Sequence, residues 1–154
     1  MVAYPVVRRG GSRPIVYRID HTCRCVDTRA HGVLTHEDVF QYQREVWGRS
    51  DVVGYNEIVD TSHVRSIETE SVNHIRQLAE LSAHMDPRSI PSKFAIVATN
   101  PVYYELGRLY GVYRGLDAKS TKRVRVFWAR ENALRWLNTA EGDESPNKTD
   151  PGDA

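Results

Sequence analysis

The sequence predicts an α/β domain: a mixed, mostly parallel sheet of about five strands, opened by an N-terminal hairpin and covered by about four helices. Three observations lead there. IVYRID at 15–20 alternates apolar and polar side chains and is followed at once by a second short extended run, the spacing of a hairpin. Further along, stretches with apolar residues at helical spacing alternate with short apolar runs, the order of successive βα units. FAIVA at 94–98 has no polar position, which suits a strand covered on both faces.

The elements follow in order. Ile15, Tyr17 and Ile19 give the first strand its apolar side, Asp20, His21 and Thr22 form the turn, and a second strand runs over residues 23–30 and ends at Gly32. Thr35 is suited to cap a helix, with Glu37 and Asp38 in the first turn, where the helix dipole favours acid. That helix reaches Gly48 and carries Val39, Phe40, Val46 and Trp47 on one face. Residues 55–60 form the third strand. The second helix spans 69–84, with Thr69 as N-cap, Glu70 as a first-turn acid, and Val72, Ile75, Leu78, Ala79 and Ser82 facing inward; MDPRSIP breaks it. After the FAIVA strand, Asn100 caps a third helix with Pro101 in its first turn. Val102, Tyr103, Leu106, Leu109, Tyr110 and Tyr113 lie within one arc of it and are assigned to the core. Residues 124–128 form the fifth strand, and 129–137 a closing helix carrying Ala133, Leu134 and Leu137.

At 154 residues, the chain is long enough for one domain with a real core. The ordered unit is expected over 14–138. Residues 1–13 read as a flexible Gly/Arg-rich extension, and 139–154 (TAEGDESPNKTDPGDA), which lacks any large apolar residue, as a disordered acidic tail. A net charge of +1 provides no bulk field toward nucleic acid or acidic lipid. No apolar run approaches the roughly 20 residues of a membrane helix. The start lacks the order of a secretory signal, and two cysteines do not make a disulfide scaffold, so a cytoplasmic location is expected.

DHTCRC at 20–25 holds both cysteines and a histidine, with His31 and His36 shortly after. A structural zinc site needs four converging ligands, and these two histidines lie beyond Gly32, at the far end of the strand. Same-face neighbours on one strand are also poorly placed for a disulfide. Cys23 and Cys25 are therefore read as small buried hydrophobes on the second strand, with no metal and no cofactor. No glycine-rich phosphate loop, nucleophile elbow or zinc-protease signature is present. Arg108, Arg114, Lys119, Lys122, Arg123, Arg125 and Arg130 concentrate positive charge, read as a solvated loop and edge strand rather than a nucleic-acid surface. Gly107 and Gly111 lie on one side of the third helix, where glycine costs about 1 kcal/mol relative to alanine. Close internal packing is the favoured reason, with the close approach of a ligand or a second subunit as the alternatives.

YRID followed by a second strand, HGVLTHED opening the first helix, YNEIVDTSHVRSIETESVNHI, KFAIVATNPVYYELGRLYGVY and VRVFWARENALRWL together cover nearly all of residues 15–137. In this order the chain resembles the SpoIIAA-like superfamily, which includes the STAS domains of sulfate transporters and anti-sigma-factor antagonists and small bacterial STAS/SEC14-like proteins. The resemblance implies a non-enzymatic regulatory module that works through a protein partner in the bacterial cytoplasm. In the antagonists, an Asp-Ser-Ser-Gly-like sequence starts the helix after the third strand, and a serine in it is phosphorylated. Aligned on Asp60 and Val64, those positions hold Glu68, Thr69, Glu70 and Ser71 here. Glu70 stands where the phospho-serine would be, and Ser71 replaces the glycine. Asp60, Glu68, Thr69, Glu70 and Ser71 are thus the candidate switch or partner surface. The resemblance also suggests, as runner-up, a carrier or sensor of a small apolar ligand or lipid. Its candidate pocket or interface is formed by Tyr103, Leu106, Gly107, Tyr110 and Gly111. An enzyme built around Asp60, His63 and His74 is the least favoured reading, since no catalytic constellation is visible.

Overall fold

The computed structural model describes residues 13–68 and 71–140. Most of the N-terminal extension, residues 141–154 of the acidic tail, and Thr69 and Glu70 lie outside the described residues.

Five strands form one sheet in the order β1 (Ile15–Asp20), β2 (Cys25–Thr35), β3 (Asn56–Glu68), β4 (Ser92–Val97) and β5 (Lys122–Phe127). β1 is antiparallel to β2, and every later pair is parallel. The helices are α1 (His36–Trp47), α2 (Val72–Met85), α3 (Pro101–Leu116) and α4 (Arg130–Leu137), with a short 3-10 turn at Ser50–Val52. Because each crossover moves one strand along in the same direction, right-handed connections place α1, α2 and α3 on one face. α4 follows the last strand and covers the other.

The alternation of side chains along each strand fits this layering. Ala95 and Val97 pack with Ile58 and Phe127 against Ala133, Trp136 and Leu137 of α4. Phe94 and Ile96 point the other way, into a cluster with Ala79 of α2 and Tyr104 and Tyr110 of α3. Every residue of β4 is buried, which is why FAIVA has no polar face. A third cluster joins Ile19 and Val26 to Val46 of α1, Val52 and Tyr55.

Several expected boundaries move. The Asp20 carboxylate accepts hydrogen bonds from the Thr22 and Cys23 N–H groups at 2.9 and 3.1 Å, and Arg24 adopts a left-handed φ of 55°. The turn thus takes in Cys23 and Arg24, and β2 begins at Cys25. Cys23 is exposed, not a buried hydrophobe; Cys25 is partly buried and packs on the α4-side core. Gly32 does not end β2. At φ 70° it lets the strand change register against β3 and continue to Thr35, with shifts between Arg29/His31 and Gly32/Val33. β3 likewise runs on to Glu68. Its pairing with β4 stops at Asp60–Val97, and β1 pairs no further than Ala30 of β2. Residues 31–35 and 63–68 therefore form a two-stranded arm beyond the five-stranded body.

α1 has the expected start. Thr35 and Asp38 form a reciprocal capping box, and Gly48 closes the helix. α2 begins later than expected, with Ser71 rather than Thr69 as N-cap and no side-chain cap hydrogen bond. Val72, assigned to its inner face, is 55% exposed. In α3 the Asn100 side chain accepts from the Val102 N–H at 2.8 Å and Pro101 follows, but Val102 is 63% exposed and the buried stripe is Tyr104, Gly107, Tyr110 and Arg114. On α4, Trp136 takes the buried place assigned to Leu134.

The expected basic surface divides. Arg108 and Arg123 are exposed. Arg114 and Lys122 are buried: Arg114 donates to Asp86 and to the Tyr110 hydroxyl, and Lys122 pairs with Glu57 at 3.2 Å. Spacing along the chain does not reveal this, because Asp86 and Glu57 come from other elements.

Candidate functional site

Helices α1, α2 and α3 do not close fully on the sheet. Between them lies a cavity of about 150 Å³. Its floor is the sheet face that alternates away from α4: Thr28 and Ala30 of β2, Val59 and Thr61 of β3, Phe94 and Ile96 of β4. α1 contributes Val39 and Phe40, α2 Ile75 and Leu78, and α3 Tyr103 and Leu106. Leu34 and Ile67, from the two-stranded arm, complete one wall.

Gly107 helps set its depth. A Cβ at Gly107 would stand 3.1 Å from Val126 Cγ2 and 3.5 Å from Ile96 Cγ2, so the bare backbone lets α3 lie against the sheet. Tyr103, Leu106, Gly107 and Tyr110 all line the cavity. Gly111 does not; it faces Val124 of β5 and borders a shallow groove on the other side of α3.

The polar side chains around the cavity are largely engaged with one another. Glu57, buried beneath it, accepts hydrogen bonds from the Tyr42 hydroxyl at 2.6 Å, Trp47 Nε1 at 2.9 Å and Lys122 Nζ at 3.2 Å. Lys122 Nζ lies 2.9 Å from the centre of the Trp47 ring. Burial pulls the Lys122 ammonium down to about 8, against the opposing pull of Glu57. Burial and the neighbouring carboxylate push the Tyr42 phenol well above its usual range. Tyr42 also shares a 2.8 Å hydrogen bond with Thr28 Oγ1, Thr61 Oγ1 donates to the Val97 carbonyl, and Tyr110 accepts from Arg114. What remains toward the cavity is hydrocarbon and ring surface.

Two histidines stand where the first turns of α1 and α2 meet the cavity. His36 and His74 stack with ring centres 4.3 Å apart and planes 15° from parallel, and Phe40 meets His36 edge-on. His74 Nδ1 is buried and has no hydrogen-bond partner. Spacing along the chain does not reveal the stack, because His36 comes from another helix.

On the opposite face, Asp27 and Asp60 flank Arg130 of α4. Arg130 Nη2 donates to Asp27 at 2.7 Å, and its Nη1 lies 3.6 Å from Asp60 Oδ2. The other Asp60 oxygen accepts from the Ser62 N–H and hydroxyl. Asp60 therefore faces α4, whereas Glu68 is exposed at the end of the arm and Ser71 is exposed at the start of α2. Eight residues of extended chain, roughly 25 Å, separate Asp60 from Glu68. His63 is exposed on the arm and His74 borders the cavity. Among the described residues, no three His, Cys, Asp or Glu side chains are grouped to hold a metal ion.

This sheet order, hairpin and helix arrangement define a SpoIIAA-like fold. The chain is similar to a crystallised, uncharacterized protein of the DUF3478 family from Shewanella loihica PV-4, described as having that fold. The two share 15% identity with a TM-score of 0.55, covering 85% of this chain and 99% of the other. At that identity the likeness extends to the fold alone. No family model matches the sequence, and no curated protein matches it. Among the described residues, no helix is long and apolar enough to cross a membrane.

Proposed function

We propose that this protein is a non-catalytic binding module that holds a small apolar ligand between the sheet and helices α1, α2 and α3. The observation that carries this reading is the cavity itself, about 150 Å³ with apolar walls. A cavity of roughly this size lined by aliphatic and aromatic side chains stays dry and accepts benzene-sized molecules. The surrounding polar groups support a binding role, since Glu57, Lys122, Tyr42 and Thr28 are committed to one another. Adding toluene to the purified protein is expected to raise its melting temperature and to shift NMR signals of Val59, Leu78 and Leu106. Val59→Phe, which fills the space from the floor, is expected to abolish both effects. Unchanged spectra with the wild-type protein would reject the reading.

A regulatory role through a protein partner is the second reading, favoured by the start of α2. The exposed Ser71 caps that helix without a side-chain hydrogen bond, so its hydroxyl is not committed to the helix end. Incubation with a broad-specificity kinase followed by peptide mapping tests it, with modification at Ser71 expected and none there counting against it.

A further inference from the structure

We infer that the outer edge of β5 takes up an extended acidic segment of another protein, which adds to the sheet as a further strand. This is independent of the cavity. β5 ends the sheet, and among the described residues no strand pairs with it on the side away from β4. The Thr121 and Phe127 carbonyls accept from the Ser92 and Ala98 N–H groups at 3.2 and 2.9 Å, so these two positions turn toward β4. The register between them is unbroken. By the alternation of a parallel strand, Val124 and Val126 therefore turn their N–H and C=O groups outward. An added strand finds its backbone partners there.

The side chains of such a strand also have a place. A groove runs between α3 and β5, with Tyr104, Gly107, Gly111 and Val112 on one side and Val124 and Val126 on the other. Val112 is 57% exposed at its rim, apolar surface that every second side chain of an added strand would cover. Arg108 and Arg125 complete the lining. Arg125 reaches over the Phe127 ring, on the α4 side of the strand, and the exposed Arg123 projects from that same side. The remaining side chains of an added strand meet this positive charge, which favours acid.

Two nearer occupants fit the edge less well. A second copy, pairing β5 with β5, would set arginines against arginines. The chain's own residues 141–154 are acidic but hold no large apolar residue for the groove. A parallel strand reached through α4, which covers the face away from α3, would also need a left-handed crossover.

The test titrates a fluorescein-labelled peptide of alternating valine and glutamate into the full chain, read by anisotropy, with a valine–lysine peptide as control. The glutamate peptide is expected to bind roughly tenfold more tightly than the lysine peptide, an advantage that shrinks with added salt. Hydrogen exchange followed by NMR is expected to slow at the Val124 and Val126 amides when it binds. Val124→Pro, which removes an outward N–H and no bond to β4, is expected to abolish binding. Arg125→Glu is expected to cancel the advantage of the glutamate peptide, and it makes the comparison if Val124→Pro does not fold. Absence of binding, equal binding of the two peptides, or binding without protection of those amides would overturn the inference. So would amides already protected in the free chain. Protection that grows with protein concentration assigns the edge to a second copy, and protection at every concentration assigns it to residues 141–154.

Discussion

Lys122 of β5 and Glu57 of β3 are joined at 3.2 Å with side chains only 4% and 1% exposed, and Trp47 closes over the ammonium. β4 lies between their strands, so the pair ties together elements that do not touch in the sheet. Its pH dependence has a defined sign. In the unfolded chain Lys122 titrates near 10.5, and in the folded protein near 8. Between those values the unfolded state binds the extra proton, so this group's contribution to stability rises with pH. It is fully present above 10.5 and lost as pH falls through about 8. Urea unfolding of wild type and Lys122→Met from pH 7 to 10.5 is expected to show the wild type gaining on the variant. A constant difference would contradict the assignment.

Asp86 ends α2 and receives Arg114 together with the Thr121 and Lys122 N–H groups. Removing it leaves Arg114 buried without its carboxylate. Asp86→Ala is expected to cost about 3–5 kcal/mol in chemical denaturation, the range for breaking a buried ion pair from one side. Replacing an exposed partner, as in Glu105→Ala beside Arg108, is expected to cost under about 1 kcal/mol.

Two glycines of α3 separate packing from propensity. Nothing lies within 4 Å of a Cβ built at Gly115, so Gly115→Ala is expected to stabilise by roughly 0.5–1 kcal/mol. Gly107→Val drives a branched side chain into Val126 and Ile96 and is expected to destabilise by about 1–3 kcal/mol. Melting curves of the two variants should therefore move in opposite directions.

The two cysteines should differ in reactivity. Burial pushes the Cys25 thiol up to about 12, whereas Cys23 is exposed in the hairpin turn. With iodoacetamide at pH 8, peptide mapping is expected to find label at Cys23 in the folded protein and at Cys25 only after unfolding.

Local signals were legible in the sequence. The Thr35 cap, the Asn100-Pro101 start of α3 and the uninterrupted FAIVA strand each follow from a few adjacent residues, and the structure has all three. The resemblance on residues 15–137 led to the SpoIIAA-like fold. The extent of β2 and β3 was not legible, because Gly32 reads as a stop and only its pairing with β3 makes it a bend within a strand. The buried pairs Lys122–Glu57 and Arg114–Asp86 were also missed, being separated by 65 and 28 residues. The cavity was legible on one side only. The third helix gave Tyr103, Leu106, Gly107 and Tyr110, but its other walls come from six more elements, and the histidine stack exists only once α1 and α2 lie side by side.

If the cavity holds a ligand as proposed, the two-stranded arm bears on how fast that ligand exchanges. Over residues 63–68, β3 has β2 as its strand partner and none on its other side, while residues 57–60 are paired on both. Separating the arm from α3 costs the Tyr103 hydrogen bond to the Arg65 carbonyl and the burial of Leu34, and it loads the Thr35–Asp38 cap of α1 where the arm ends, but it breaks little of the five-stranded body. Leu34 and Ile67 travel with it. For a ligand held as proposed, entry and release are then expected to follow local opening of the arm rather than global unfolding, with affinity set by the floor and residence time by the arm, two quantities that mutations at separate places tune independently.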